Sequence, residues 1–217
     1  MSINVRMNSP TQVFKEHVLS ALYNGTGLNK ITKVSFIDID GDEADYTTDL
    51  VFNIVDRLYI MCSITATFDY RVSKIRVYSY GNIYFEHEIT FYVVEGKTYN
   101  ITIEISISLN SSYLRIYDKN LTRYIYEVLA NMRQSSDLNV SSVVFNVLNL
   151  DANEYYTIPV TPVKFLNEVL EIQAEISLSY RWALDYITIR GSNDLYFYVT
   201  TRTGEPATII FKDRINV

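Results

Sequence analysis

Between Leu58 and Leu109 apolar and polar residues alternate along the chain. Ile60, Cys62, Ile64, Ala66, Phe68 and Tyr70 take one set of alternate positions, and Ser63, Thr65, Thr67 and Asp69 take the other. A period of two sends successive side chains to opposite faces of a pleated strand. Ile83, Phe85, His87, Ile89, Phe91 and Val93 repeat the pattern, as do Ile101, Ile103, Ile105, Ile107 and Leu109. The pattern predicts long antiparallel strands, one face on a core and the other toward water or a partner. Turns are expected near Tyr70–Lys74, Gly81-Asn82 and Glu95-Gly96.

Upstream the period changes. Residues 1–8 read as a polar N-terminal arm without a clear period. Ser9-Pro10-Thr11-Gln12 reads as a helix start, with Ser9 as cap and Pro10 in the first turn. Phe14, Val18, Ala21 and Leu22 then form one apolar helical stripe, and Asn24-Gly25 ends it. KITKVSFIDID predicts a strand, GDEAD its turn and TTDLVFNIV a shorter strand.

Near Asn110 the alternation breaks. The polar run NSSYLRIYDKN predicts a linker over 110–121, or a short extra strand. Beyond it the chain begins again. A shift of 110 residues places Val18-Leu19 on Val128-Leu129, Leu28-Asn29 on Leu138-Asn139, Val34 on Val144, and Tyr70-Arg71 on Tyr180-Arg181. With a shift of 112, Ile83-Tyr84-Phe85 meets Leu195-Tyr196-Phe197, and with 108 Gly96 meets Gly204. Leu170, Ile172, Ala174, Ile176, Leu178 and Tyr180 repeat the phase of Ile60 to Tyr70. The reading is an internal duplication. The fold class expected is all-β: two tandem antiparallel β-sandwich domains, 9–109 and 122–217, each preceded by a short α-helix.

Composition narrows the function classes. The 217 residues carry a net charge of −6, and this mild acidity argues against nucleic acid as a partner. No apolar run reaches the roughly 20 residues that cross a bilayer, and MSINVRMNSP has no secretory h-region. Cys62 is the only cysteine; it is expected as a small buried hydrophobe, and no internal disulfide can form. No nucleophile elbow, phosphate-cradling glycine loop or HExxH motif occurs, so no enzyme activity, metal or cofactor is expected. His17 and His87 have no metal-ligand spacing and read as structural. The run Asp38 to Asp45 is the best cation candidate, although a solvated turn accounts for it and Gly41 is misplaced for a helix–loop–helix calcium loop. Glu86 and Glu88 read as solubilising charge. Asn24, Asn100, Asn110, Asn120 and Asn139 begin glycosylation sequons.

The outward faces carry more signal. The alternation sends Tyr78, Tyr80, Tyr84 and Tyr92, and in the second half Tyr196 and Tyr198, away from the inferred core. Tyrosine is enriched at subunit interfaces, which makes these six the interface candidates. Rows of tyrosine also stack on sugars, as in a carbohydrate-binding adhesin module.

The order of helix, tight turn, KITKVSF, ITATFDY, KIRVYSYGNIYFE and GKTYNITIEISISL resembles modules of virion appendage proteins. At this length the tandem pair is similar to the penton-base protein beneath the turrets of turreted icosahedral archaeal viruses, which carries two jelly-roll-like domains. The resemblance spans residues 10–217 and rests on pattern. It implies a structural virion protein at the capsid vertex, assembling as a homo-oligomeric ring with five copies as first guess. Its implied partners are other capsid or turret proteins and a membrane-associated virion protein. A tail-fibre or baseplate component is the related alternative.

Overall fold

The computed structural model describes the chain apart from residues 112–115, 118, 161–163, 167–168 and 192–193, with side chains described outside 110–120, 158–168 and 192–199. It is all-β, with two α-helices among the described residues. The first half runs β1 (Ser2–Met7), α1 (Gln12–Asn24), β2 (Lys33–Asp38), β3 (Glu43–Thr47), β4 (Val51–Ile54), β5 (Leu58–Thr65), β6 (Tyr70–Ser79), β7 (Asn82–Val93) and β8 (Thr98–Ile105). The second half runs β9 (Asn110–Ser111), β10 (Ile116–Tyr117), α2 (Lys119–Leu129), a 3-10 turn (Ser135–Leu138), β11 (Ser142–Asn149), β12 (Glu154–Val160), β13 (Lys164–Leu166), β14 (Val169–Leu178), β15 (Trp182–Arg190), β16 (Asp194–Gly204) and β17 (Ala207–Asn216).

The chain forms two units. Unit 1 has one sheet ordered β4-β5-β8-β1 and one ordered β3-β2-β6-β7; unit 2 has β13-β14-β17-β9 and β12-β11-β15-β16-β10. The two orders match position for position apart from the extra β10, but the edge strands differ in direction: β1 runs parallel to β8 and β9 antiparallel to β17. A bulge recurs as well. The β2–β6 register slips between Ile37 and Asp38 and skips Ser73; the β11–β15 register slips between Asn146 and Val147 and skips Asp185. In each unit an aromatic pair joins the sheets edge to face: Phe36 to Tyr99 at 6.3 Å, and Phe145 to Phe211 at 6.3 Å. In β5, β8 and β14 the inner faces are the predicted ones. Ile60, Ile64, Ile101, Ile103 and Ile105 fill the first core, and Leu170, Ile172, Ala174 and Ile176 the second. Each fully buried aliphatic side chain contributes about 1.5–3 kcal/mol.

Several expectations need correcting. The turn expected at Tyr70–Lys74 is strand, since β6 begins at Tyr70, and Glu43–Asp45 of the expected GDEAD turn open β3. The N-terminal arm is a strand: Ile3, Val5 and Met7 are buried, and β1 runs parallel along β8 from Ser2↔Asn100 to Met7↔Ile105. Its alternation is only three cycles long, too short to stand out beside a polar flank. The helix cap is Thr11, not Ser9. The Thr11 hydroxyl accepts the Phe14 N–H at 3.3 Å and donates to the Ile83 carbonyl at 2.6 Å, because Pro10 is held in a bridge to Phe85.

The stretch 110–121 is no simple linker. It supplies β9 and β10, which pair with β17 and β16, and the start of α2. Lastly, the helices are not each confined to their own half. Unit 1 comprises Met1–His17, Leu28–Ser108 and Tyr126–Arg133, and unit 2 comprises Val18–Gly27, Leu109–Ile125 and Gln134–Val217. The reason is a reciprocal satisfaction of helix-end carbonyls, which lack intrahelical partners. The Leu129 carbonyl accepts the Ile31 N–H at 2.9 Å just before β2, and the Leu22 carbonyl accepts the Val140 N–H at 2.8 Å just before β11.

Candidate interaction surface

The six tyrosines do not share a fate. Tyr84 is fully buried, against its assignment to the outer face. In the β6–β7 ladder Val77 pairs with Phe85 and the next residue, Tyr78, pairs with Ile83, so Tyr84 is skipped. A bulge residue breaks the period of two, and Tyr84 and Phe85 both turn inward. Tyr84 packs edge-on to Phe14 at 5.2 Å. Its hydroxyl lies 2.8 Å from His17 Nδ1 and accepts the Asn29 N–H at 3.2 Å. Burial raises the Tyr84 phenol, against the hydrogen bond from the Asn29 N–H. Burial also lowers His17, against the charge of Glu16. The pair is a neutral, hydrogen-bonded clamp between helix and sheet.

Tyr78 is also covered, with 9% exposure. The Lys33 ammonium sits 4.5 Å from its ring centroid and 5.2 Å from that of Tyr46. Tyr80 is 64% exposed and adopts φ 46° in the β6–β7 turn. Tyr92 is 71% exposed, with the Arg71 guanidinium 5.9 Å from its ring. The side chains of Tyr196 and Tyr198 lie outside the described residues.

Tyr92 belongs to a cluster that alternation did not reveal. Ile39, Phe68 and Val94 are 62%, 47% and 49% exposed. Asp38 registers with Val72, Val72 with Phe91 and Tyr70 with Val93, so all four side chains sit at one end of the first sandwich. Phe68 is expected in the core, but β5 ends at Thr65 and the alternation ends at the buried Ala66, one residue beyond it. The signal was the strand's end, marked by Thr67-Phe68-Asp69. The loops that carry these side chains are tied together. The Asp45 carboxylate accepts the Thr67 hydroxyl at 2.9 Å and the Thr67 N–H at 3.2 Å. Asp69 accepts the Glu95 N–H at 2.7 Å, the Ala66 carbonyl accepts the Gly96 N–H at 2.9 Å, and the Tyr99 hydroxyl accepts the Val94 N–H at 2.9 Å. The apolar groups are therefore presented on a fixed frame.

The outer face of β3-β2-β6-β7 is a charge network. Glu43 takes hydrogen bonds from Lys33 at 2.7 Å and Ser35 at 2.6 Å. Glu86 takes them from Lys74 at 2.9 Å and Arg76 at 2.6 Å. Burial works to raise both carboxyls, and the hydrogen bonds with their positive partners outweigh it, leaving both lowered. Glu86 is thus an ion-pair partner, while Glu88 is exposed. His87 stands half-buried opposite Ile75. Cys62 is 9% exposed, and burial pushes its thiol up to about 12.

The acidic turn is internally occupied. Asp38 Oδ1 accepts the N–H groups of Asp40 and Asp42 at 3.0 and 2.9 Å, and Glu43 and Asp45 point to the partners given above. Among the described residues no three His, Cys, Asp or Glu side chains gather as metal ligands. No helix among the described residues is long and apolar enough to cross a membrane.

No family model and no curated protein matches the chain. Among solved structures, a leucine-rich repeat protein from Bacteroides thetaiotaomicron aligns over 96% of this chain and 24% of its own, at 9% identity and a TM-score of 0.22. A similarity of that size carries no argument about fold or function.

Proposed function

We propose that this chain is a non-catalytic assembly subunit, and that the assembly is a homo-oligomer of the virion-vertex kind its sequence pattern resembles. The observation that supports the reading is the fixed apolar end of the first sandwich: Ile39, Phe68, Tyr92 and Val94 exposed together on cross-tied loops. Large apolar side chains on a rigid frame lose little conformational freedom on association, and aromatic residues dominate the energetics of interfaces. In a closed ring this end meets a different surface of the next copy, through a heterologous contact that buries at least about 1,000 Å².

Native mass spectrometry of the full chain over a range of concentrations tests the proposal. Closed oligomers are expected, with five copies the first guess. Replacing Phe68 by serine is expected to weaken association by about 30-fold, the effect of losing one central anchor of about 2 kcal/mol, while leaving the monomer folded. A chain that stays monomeric at every concentration overturns the reading.

A further inference from the structure

We infer that the second sandwich holds a binding site for a small amphipathic carboxylate, in the cleft between its two sheets beside Arg202. The two units differ at one ladder position. In unit 1 Phe91 stands opposite Val72; in unit 2 Arg202 stands opposite Leu184, and the shared bulge one residue away fixes this equivalence. Phe91 completes a trio of rings, 5.4 Å from Phe36 and 6.2 Å from Tyr99. Unit 2 keeps the other two members, Phe145 and Phe211. Where the third ring would fill the gap it has an arginine on the edge of the sandwich, and a cleft of about 520 Å³ remains.

The lining of the cleft sorts by chemistry. Leu184, Ile187, Ile209 and Phe211 are its buried apolar part, and Thr200, Arg202, Ile210 and Lys212 its more exposed part. No carboxylate lines the cleft among the described residues. Lys212 alternates with the buried Phe211 and stands with Gln173 on the outer face of its sheet, between Glu171 and Glu175, so Arg202 is the cation that serves the cleft. In a chain of net charge −6, a guanidinium opposite the inward Leu184 and beside an apolar cleft complements a ligand with an anionic head and an apolar body. A guanidinium binds a carboxylate in bidentate fashion, and the volume falls in the range of small-molecule sites. An alkyl or aryl body would occupy the space that Phe91 fills in the first unit.

The test is calorimetric titration of the full chain with decanoate, and with 1-decanol as the neutral analogue of equal length. Saturable decanoate binding is expected, about tenfold or more tighter than decanol, as befits a charge-assisted hydrogen bond. Arg202→Gln should weaken decanoate by about that factor and leave decanol unchanged. Arg202→Phe, which copies the first unit, should abolish both and raise the melting temperature. Absence of saturable decanoate binding, equal affinity for decanoate and decanol, or Arg202→Gln binding like the native chain overturns the inference. The last criterion holds even if Arg202→Phe fails to fold.

Discussion

Gly204 lies directly opposite Trp182 in the β15–β16 ladder, and a β-carbon on it would stand 2.6 Å from the indole Cζ2. Trp182 is 5% exposed, and its Nε1–H donates to the Glu205 carbonyl at 2.8 Å. At the matching place in the first unit, Tyr70 faces Val93. The larger ring thus has the smaller neighbour, as close packing requires. Gly204→Ala forces the indole to move, and overpacking of this kind costs about 1–3 kcal/mol. Trp182 is the only tryptophan, so its fluorescence reports the second unit. The urea midpoint followed at that signal should fall, with the native emission shifted. An unchanged midpoint would mean that the indole has room to spare.

The His17–Tyr84 clamp predicts a pH dependence. Burial holds the folded-state pKa of His17 below its ordinary 6.5, so the unfolded chain binds more protons in the window below 6.5. Stability therefore rises with pH through that window; it is fully present above about 6.5 and is lost as the pH falls toward the folded value. Glu43 and Glu86, lowered from 4.5, add a second loss nearer and below that value, by the same sign. Denaturation midpoints from pH 7.5 down to about 2.5 should show two separable declines. His17→Asn should remove the upper one and leave the lower.

These two sites show what was legible in the sequence. The strands of the core were, because Ile60 to Ile64 and Ile101 to Ile105 keep a period of two without interruption. Tyr84 was not, since a bulge changes phase without any mark in composition. The repeat was legible as an order of elements, but its residue matches drifted. The pairing of Tyr70 with Tyr180 and of Gly96 with Gly204 rested on identity, whereas the ladders set Tyr70 level with Trp182 and Val93 level with Gly204. Gly96 serves a left-handed turn at φ +72°, and Gly204 makes room for an indole. The apolar end of the first sandwich has no signature in the sequence, because Ile39, Phe68 and Val94 come from separate loops. Only the fold makes them neighbours.

Cys62 yields a chemical prediction. A thiolate is the reactive form, and burial holds this thiol neutral at about 12. Reaction with a disulfide reagent at pH 8 should be slow in the native protein and fast in urea. Its rate should follow the opening of the first sheet rather than the reagent concentration. Rapid native labelling would place Cys62 in a looser environment than its 9% exposure describes.

Asp45 links the frame of the apolar end to its proposed role. The residue is 6% exposed and spans 22 positions to hold Thr67 by both the hydroxyl and the backbone N–H. Asp45→Ala leaves those two donors without their acceptor, a loss of about 1–3 kcal/mol. The effect should be local before it is global. Amide exchange at residues 66–69 should quicken, while Ile101 to Ile105 in the centre of the sheet stay protected. Asp45→Asn retains one acceptor oxygen and should fall between the two. If the loops serve association by being fixed, Asp45→Ala should also weaken oligomerisation, although Asp45 itself is buried. Full association alongside quickened exchange would show that exposed apolar area alone drives assembly. Unchanged exchange would show that Asp45 does not hold the frame.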